Sequence, residues 1–129
     1  NPPLNQSCMG CNRCITACLG QCLGHDEFKY ETCKSYLTQK KGELTPEEEH
    51  IIAKTTLVFG CDVCQEVCPH NQGIPTTPIP EFQQVDPHID INELEMLTNK
   101  EFKAKYGHRA FSWRGKKILM KNQEIIEGK

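Results

Sequence analysis

The chain has 129 residues, 37% of them hydrophobic and 7% aromatic, which is enough for one domain or for one small domain with an appendage. Its charge is uneven, because residues 1–98 carry 6 Lys/Arg against 14 Asp/Glu, a net of −8, and residues 99–129 carry 9 against 3, a net of +6. No apolar run approaches the roughly 20 residues of a membrane span, which excludes a transmembrane helix in this sequence. The composition predicts an acidic body with a basic tail.

The predicted elements of the first half are short. Residues 1–7 are expected to be extended, and a short helix is predicted for residues 12–18. Residues 45–48 read Thr-Pro-Glu-Glu, which predicts a helix with an N-cap, a proline at its first position and a capping box. This helix should run to about Leu57. It should bury Ile51, Ile52 and Thr55.

Prolines mark the beginning of the last third. Residues 73–89 contain four of them, which rules out a helix there and predicts an extended linker. Three helices should follow, the first opening at Asp90, the second running from Thr98 to Gly107, and the third covering roughly residues 109–127. The expected fold class is α+β, mostly helical with little strand. Its expected parts are residues 1–72, 73–89 and 90–129.

Nine cysteines carry the chemistry of the chain. The first run reads C-x2-C-x2-C-x3-C, the spacing with which bacterial ferredoxins bind [4Fe–4S] clusters, and a shortened second run ends directly before Pro69. The odd count and regular spacing disfavour a disulfide framework, and the x3 step and the following proline disfavour zinc. We therefore expect a ferredoxin-like domain with two [4Fe–4S] clusters, whose function is electron transfer.

The two runs are expected to exchange ligands. In two-cluster ferredoxins the fourth cysteine of each run binds the cluster of the other run. The second run has Val58 where a further cysteine would stand, and Cys33 from the intervening loop is the natural substitute. Cys22 is expected to be a small buried thiol, not a ligand. The expected ligands are Cys8, Cys11, Cys14 and Cys68 for the first cluster, and Cys18, Cys33, Cys61 and Cys64 for the second.

Three stretches of the chain resemble the iron–sulfur domain of the epoxyqueuosine reductase family. They are residues 33–38 (CKSYLT), residues 59–71 (FGCDVCQEVCPHN) and, in the tail, residues 101–122 with their Trp-Arg-Gly motif. The resemblance implies the same eight cysteine ligands, with the first cluster beside the corrin of a cobalamin. It implies a reductase that acts on epoxyqueuosine in tRNA, in the cytoplasm and without a membrane, with a reducing partner such as flavodoxin or ferredoxin.

The same resemblance puts the cobalamin-binding domain and the acidic catalytic residue N-terminal to this chain, so the chain alone is not expected to be catalytic. Two other functions fit the cysteines: a stand-alone ferredoxin-type carrier with two clusters, and the ferredoxin domain of another corrinoid enzyme, such as a reductive dehalogenase. The basic tail is expected either to contact tRNA phosphates or to be a solvated helix face. The candidate tRNA contacts are Lys103, Arg109, Arg114 and Lys117.

Overall fold

The computed structural model describes residues 7–128, so the extended segment expected for residues 1–7 lies outside the described residues except for Ser7. Eight α-helices and three short 3-10 segments make up the regular structure of this part of the chain. The helices are α1 (Arg13–Ala17), α2 (Lys34–Leu37), α3 (Pro46–Ala53), α4 (Val63–Glu66), α5 (Pro80–Gln83), α6 (Ile91–Met96), α7 (Asn99–Tyr106) and α8 (Lys116–Glu127). The 3-10 segments are Tyr30–Thr32, Pro69–Asn71 and Ala110–Arg114.

A mostly helical chain is therefore confirmed, but the strand component of the α+β prediction is wrong for residues 7–128. The β-type pairing found there is a single isolated antiparallel bridge between Leu23 and Phe28. The backbone around the cysteines forms loops and single helical turns, which offer no ladder to a neighbouring strand. Within the described residues, no helix is long and apolar enough to cross a membrane.

The capping box predicted for α3 is present. The Thr45 hydroxyl accepts a hydrogen bond from the Glu48 amide, and the Glu48 carboxylate accepts one from the Thr45 amide. The helix ends at Ala53 and not at the predicted Leu57. Beyond its end, the carbonyl and the hydroxyl of Thr55 accept hydrogen bonds from the ammonium of Lys34 in α2. Of the three residues expected to be buried, Ile52 is buried and the other two are half-buried.

The proline-rich segment is exposed almost throughout residues 73–89. The prediction that it holds no helix is wrong at one place, where α5 forms a single turn. Pro80 stands at the first position of that turn, where its fixed φ is compatible with a helix. The N–H that proline lacks would have no acceptor within the helix at this position.

Two of the three helices predicted after the linker form as expected, and the third is divided. The side chain of Asp90 caps α6, and Thr98 caps α7 in a complete capping box with Glu101. Gly107 ends α7 as its C-cap. The predicted third helix is wrong as one continuous element, because Gly115, at φ 81°, separates the 3-10 segment from α8.

The main hydrophobic core lies among the last four elements. It consists of the buried side chains of Leu94, Phe102, Phe111, Ile118 and Leu119. Val58 and Phe59, which precede the second cysteine run, pack against it, and the rings of Phe59 and Phe111 lie 6.2 Å apart between centroids. Helix α8 also packs against α3. The C-terminal helices thereby support the loop that leads to Cys61.

Candidate metal centres

Four cysteines from two distant segments line one cavity, which we call the first cavity. Two of them come from the loop that leads into α1, the third lies in the first turn of α1, and the fourth follows α4, a helix that packs against α1. The cavity has a volume of about 180 Å³. Its cysteines are Cys8, Cys11, Cys14 and Cys68, the set predicted for the first cluster.

The loop of the first cavity is held in a left-handed turn. Gly10 has φ 69° and Asn12 has φ 58°, a region that few residues other than glycine and asparagine adopt readily. This curvature lets the Gly10 amide donate a hydrogen bond to the Cys8 sulfur at 3.4 Å. Amide donors to thiolate sulfur are one of the means by which proteins stabilise an anionic iron–sulfur cluster.

The second cavity has a volume of about 280 Å³ and brings together residues that are far apart in the sequence. Gly20 allows two of these segments to approach each other, since a Cβ atom built on it would lie 1.7 Å from the carbonyl oxygen of Thr32. Gly60, at φ 78°, turns the chain into the second run. The cysteines that line this cavity are Cys18, Cys33, Cys61 and Cys64, the set predicted for the second cluster, together with Cys22.

Cys22 is 3% exposed, which agrees with a small buried thiol, but it lies beside the predicted ligands. Its sulfur is 3.2 Å from that of Cys18, and its amide also donates to the Cys18 sulfur at 3.3 Å. Burial, the hydrogen bond with Cys18 and the nearby charge of Cys33 raise the pKa of Cys22 to about 12. This shift favours the protonated form of Cys22, whose sulfur lies within hydrogen-bond distance of that of Cys18.

A lysine side chain also reaches the second cavity. Lys34 follows Cys33, is 2% exposed and lines the cavity. Its ammonium donates to the carbonyl of Ile52 at 2.5 Å, and to the carbonyl and hydroxyl of Thr55 at 3.1 and 2.7 Å. Burial lowers the pKa of Lys34, and the charge of Cys61 opposes that shift.

The C-terminal helix α8 is connected to the second cavity by hydrogen bonds. The amide of Asn122, which is fully buried, donates to the carbonyls of Thr38 and Val58 at 2.8 and 2.9 Å. The Thr38 hydroxyl in turn accepts a hydrogen bond from the Gly60 amide at 2.9 Å. Asn122 therefore holds the backbone before the turn at Val58 directly, and the Gly60 amide within the turn through Thr38.

The donor set and the geometry fit iron–sulfur clusters. Each cavity is lined by the four thiols predicted for its cluster, and the second is lined by Cys22 as well. Thiolates are the usual ligands of a [4Fe–4S] cluster. In residues 7–128 no three His, Cys, Asp or Glu side chains are arranged around the position of a single metal ion.

The structure brings together three of the four predicted tRNA contacts. A cavity of about 590 Å³ in the C-terminal segment is lined by Lys103, Arg114 and Lys117, with Trp113 beside them. The guanidinium of Arg114 lies 3.8 Å from the centre of the Trp113 ring. Arg109 is not among the lining residues, and its guanidinium lies over the ring of Phe111 at 5.4 Å.

Comparison with known proteins decides the class of these sites. Residues 7–71 match the 4Fe-4S double cluster binding domain family. The chain belongs to that family. The prediction of an iron–sulfur domain is thereby confirmed, because the matched segment contains all eight predicted ligands.

The chain as a whole is also similar to part of several epoxyqueuosine reductases. It is 40% identical over 124 residues to the epoxyqueuosine reductase of Lactococcus garvieae (strain Lg2), a match that covers 93% of this chain and 34% of that protein. The structure of the enzyme from Streptococcus thermophilus gives a TM-score of 0.82 at 35% identity, over 98% of this chain and 33% of the other. An epoxyqueuosine reductase crystallised with an epoxyqueuosine-modified tRNA-Tyr stem loop gives 0.83 at 36% identity, over 98% and 34%.

The resemblance predicted from the residues is therefore confirmed, and the chain spans about a third of the length of these relatives. Sequence reasoning missed two residues that line or support the second cavity, Lys34 and Asn122, and it predicted Cys22 only as a buried thiol. A lysine directly after a ligand cysteine was the available signal for the first. No local pattern indicates the second, because its partners are 64 and 84 residues away.

Proposed function

We propose that this chain is the iron–sulfur electron-transfer domain of an epoxyqueuosine-reductase-like protein, which passes electrons through two [4Fe–4S] clusters to a cobalamin for the reduction of epoxyqueuosine in tRNA. The observation that carries the proposal is the sorting of eight cysteines into two cavities. Each cavity takes a cysteine from the opposite run, as expected of paired clusters in one fold.

The proposed ligands of the first cluster are Cys8, Cys11, Cys14 and Cys68, and those of the second are Cys18, Cys33, Cys61 and Cys64. When bound, such clusters supply one-electron transfer. The chain contributes thiolate ligands, amide donors such as that of Gly10, and an apolar surround that limits the access of water. We propose a cytoplasmic protein in which a cobalamin-binding domain lies next to the first cluster, and flavodoxin or ferredoxin supplies the electrons.

The test is an anaerobic assay of the full-length protein with cobalamin, a chemical reductant and an RNA stem loop that carries epoxyqueuosine. We expect the wild-type protein to form queuosine, a Cys33→Ala variant to form none, and a Cys22→Ala variant to form it at the wild-type rate. Equal product from the Cys33 variant would contradict the role of the second cluster. A wild-type protein without reductase activity, but with two clusters that exchange electrons with a redox partner, would favour the stand-alone carrier.

We further propose that the basic cavity of the tail contacts tRNA. Trp113 is 63% exposed and offers a stacking face, while Lys103, Arg114 and Lys117 supply positive charge around it. The buried Nε of Arg114 has no hydrogen-bond partner within the described part of the chain, as expected of a donor reserved for a ligand. Arg109 was a predicted contact, and we retain it as a secondary one because its ring partner restricts its reach.

Alanine replacement of Lys103, Arg114 and Lys117 tests this proposed interface. We expect weaker binding of the stem loop and a salt dependence whose slope falls by about one unit for each phosphate that the variant no longer neutralises. Alanine at Arg13 and Lys29, two exposed cations of the acidic body, is the matched control and should leave the slope near that of wild type. An unchanged affinity and slope in the triple variant would identify the tail as a solvated face.

A further inference from the structure

Lys34 lines the second cavity and is buried. Its side chain is 2% exposed, and within residues 7–128 none of the salt bridges involves it. A buried ammonium is costly unless it is hydrogen-bonded and electrostatically compensated. The thiols proposed as ligands in the cavity that Lys34 lines would compensate its charge as the thiolates of a bound cluster.

The hydrogen bonds of Lys34 suit the charged form. The ammonium has three protons, and the structure offers three acceptors, which are two carbonyls and one hydroxyl. These acceptors belong to Ile52, near the end of α3, and to Thr55, two residues beyond that helix, which begins with the capping box of Thr45. The ammonium of Lys34 is therefore held at a fixed position by three acceptors of the fold, unlike that of a flexible lysine at the surface.

Among the described residues, the first cavity has no equivalent of Lys34. Its lining contains two histidines, His25 and His70, which are exposed, and neither lysine nor arginine. The nearest parallel at the second cavity is Lys54, whose ammonium donates to the carbonyl of Leu19 at 2.7 Å, but this lysine is exposed to solvent. Water screens its charge, whereas the charge of Lys34 acts through the protein interior.

We propose that Lys34 is an internal counter-cation of the second iron–sulfur cluster, which raises the reduction potential of that cluster. Reduction adds one negative charge to an already anionic cluster, so a fixed positive charge stabilises the reduced state more than the oxidised state. Lys34 lines the cavity and contacts no substrate in this proposal. Its charge changes the reduction potential of the second cluster.

The experiment is an anaerobic redox titration of the reconstituted full-length protein, followed by electron paramagnetic resonance. Lys34→Gln removes the charge and keeps a side-chain donor, and Lys54→Gln is the matched control at an exposed lysine near the same cavity. We expect Lys34→Gln to make reduction of the second cluster at least tenfold less favourable, which is about 59 mV for a one-electron couple. The control should produce a smaller shift, and the first cluster serves as an internal reference.

A shift in Lys34→Gln that is no larger than that of Lys54→Gln overturns the proposal. If Lys34→Gln loses the second cluster altogether, Lys34→Arg decides, since it retains the charge: recovered loading with a potential near that of wild type supports the proposal, and failed loading shows a steric role and overturns it. The inference rests on the proposed second cluster. Iron counting on the wild-type protein distinguishes the two failures, because a missing second cluster there contradicts the proposed function itself.

Discussion

Each of the two cavities is lined by four cysteines predicted as ligands, but the surroundings of the two sets differ. In the first, Cys8 and Cys11 are exposed, and the wall is built from residues between 8 and 15, residues 23–25 and residues 68–70. In the second, the buried side chains of Cys22 and Lys34 line the wall together with the predicted ligands, and Asn122 of α8 donates hydrogen bonds to carbonyls 64 and 84 residues away. Solvent access, hydrogen bonds and nearby charge all tune an iron–sulfur potential, so one fold can give two clusters different roles. The accessible first site suits exchange with a neighbouring domain.

The largest expected effect comes from a predicted ligand of the second cavity. Cys33→Ala should reduce the iron content from about eight to about four atoms per chain, because one of two four-iron clusters loses a ligand. Cys22→Ala changes a cysteine that lines the same cavity and should keep all the iron, since the four proposed ligands of the second cluster remain in that variant. Iron and sulfide counting after anaerobic reconstitution measures both. A comparable loss in the Cys22 variant would make that residue a ligand and break the assignment.

A second large effect is expected at Gly20, where the two segments of the second cavity meet. Gly20→Ala would bring a Cβ atom to 1.7 Å from the Thr32 carbonyl, so the backbone must shift and Cys18 and Cys33 must separate. We expect loss of the second cluster with the first retained, seen as about half the iron. Gly24→Ala is the control, because its Cβ would meet ordinary contacts at 3.5 Å. Two intact clusters in the Gly20 variant would show that this close approach is not required.

A smaller effect is expected at Asn122, which supports the second cavity from a distance. Asn122→Ala leaves the carbonyls of Thr38 and Val58 without their donor, and each buried unsatisfied group costs about 1–3 kcal/mol. The loss in free energy of unfolding should therefore be about 2–5 kcal/mol. Gln123→Ala is the matched control on the same helix, because its side-chain bond to Glu127 is exposed. Denaturant unfolding of the two variants measures their free energies of unfolding. Equal values would contradict the supporting role of Asn122.

The sequence was most informative where the chemistry is local. The spacing of the first run, the capping boxes at Thr45 and Thr98, and the substitute cysteine at position 33 could all be recognised from the sequence. The structure contains both capping boxes and places Cys33 in the wall of the second cavity, and its role as a ligand stays a prediction. The break at Gly115 was missed, because the apolar pattern continues in helical register across a glycine whose positive φ stops the helix.

What the sequence left out depends on tertiary structure. Lys34 is held in the wall of the cavity by hydrogen bonds to Ile52 of α3 and to Thr55 beyond that helix, 18 and 21 residues later in the sequence. No periodicity of the sequence predicts these contacts. The partition of the basic tail has the same origin. Lys103, Arg114 and Lys117 meet at one cavity, while Arg109 turns to an aromatic ring, a difference that charge counting does not detect.

Every role proposed for the two cavities requires that the chain binds two [4Fe–4S] clusters. The measurement is the combined count of iron, acid-labile sulfide and zinc on the chain after anaerobic reconstitution. We predict about eight irons and about eight sulfides per chain, with no zinc. One or two zinc ions without sulfide would contradict the account, because the same cysteines would then form mononuclear sites that carry no electrons.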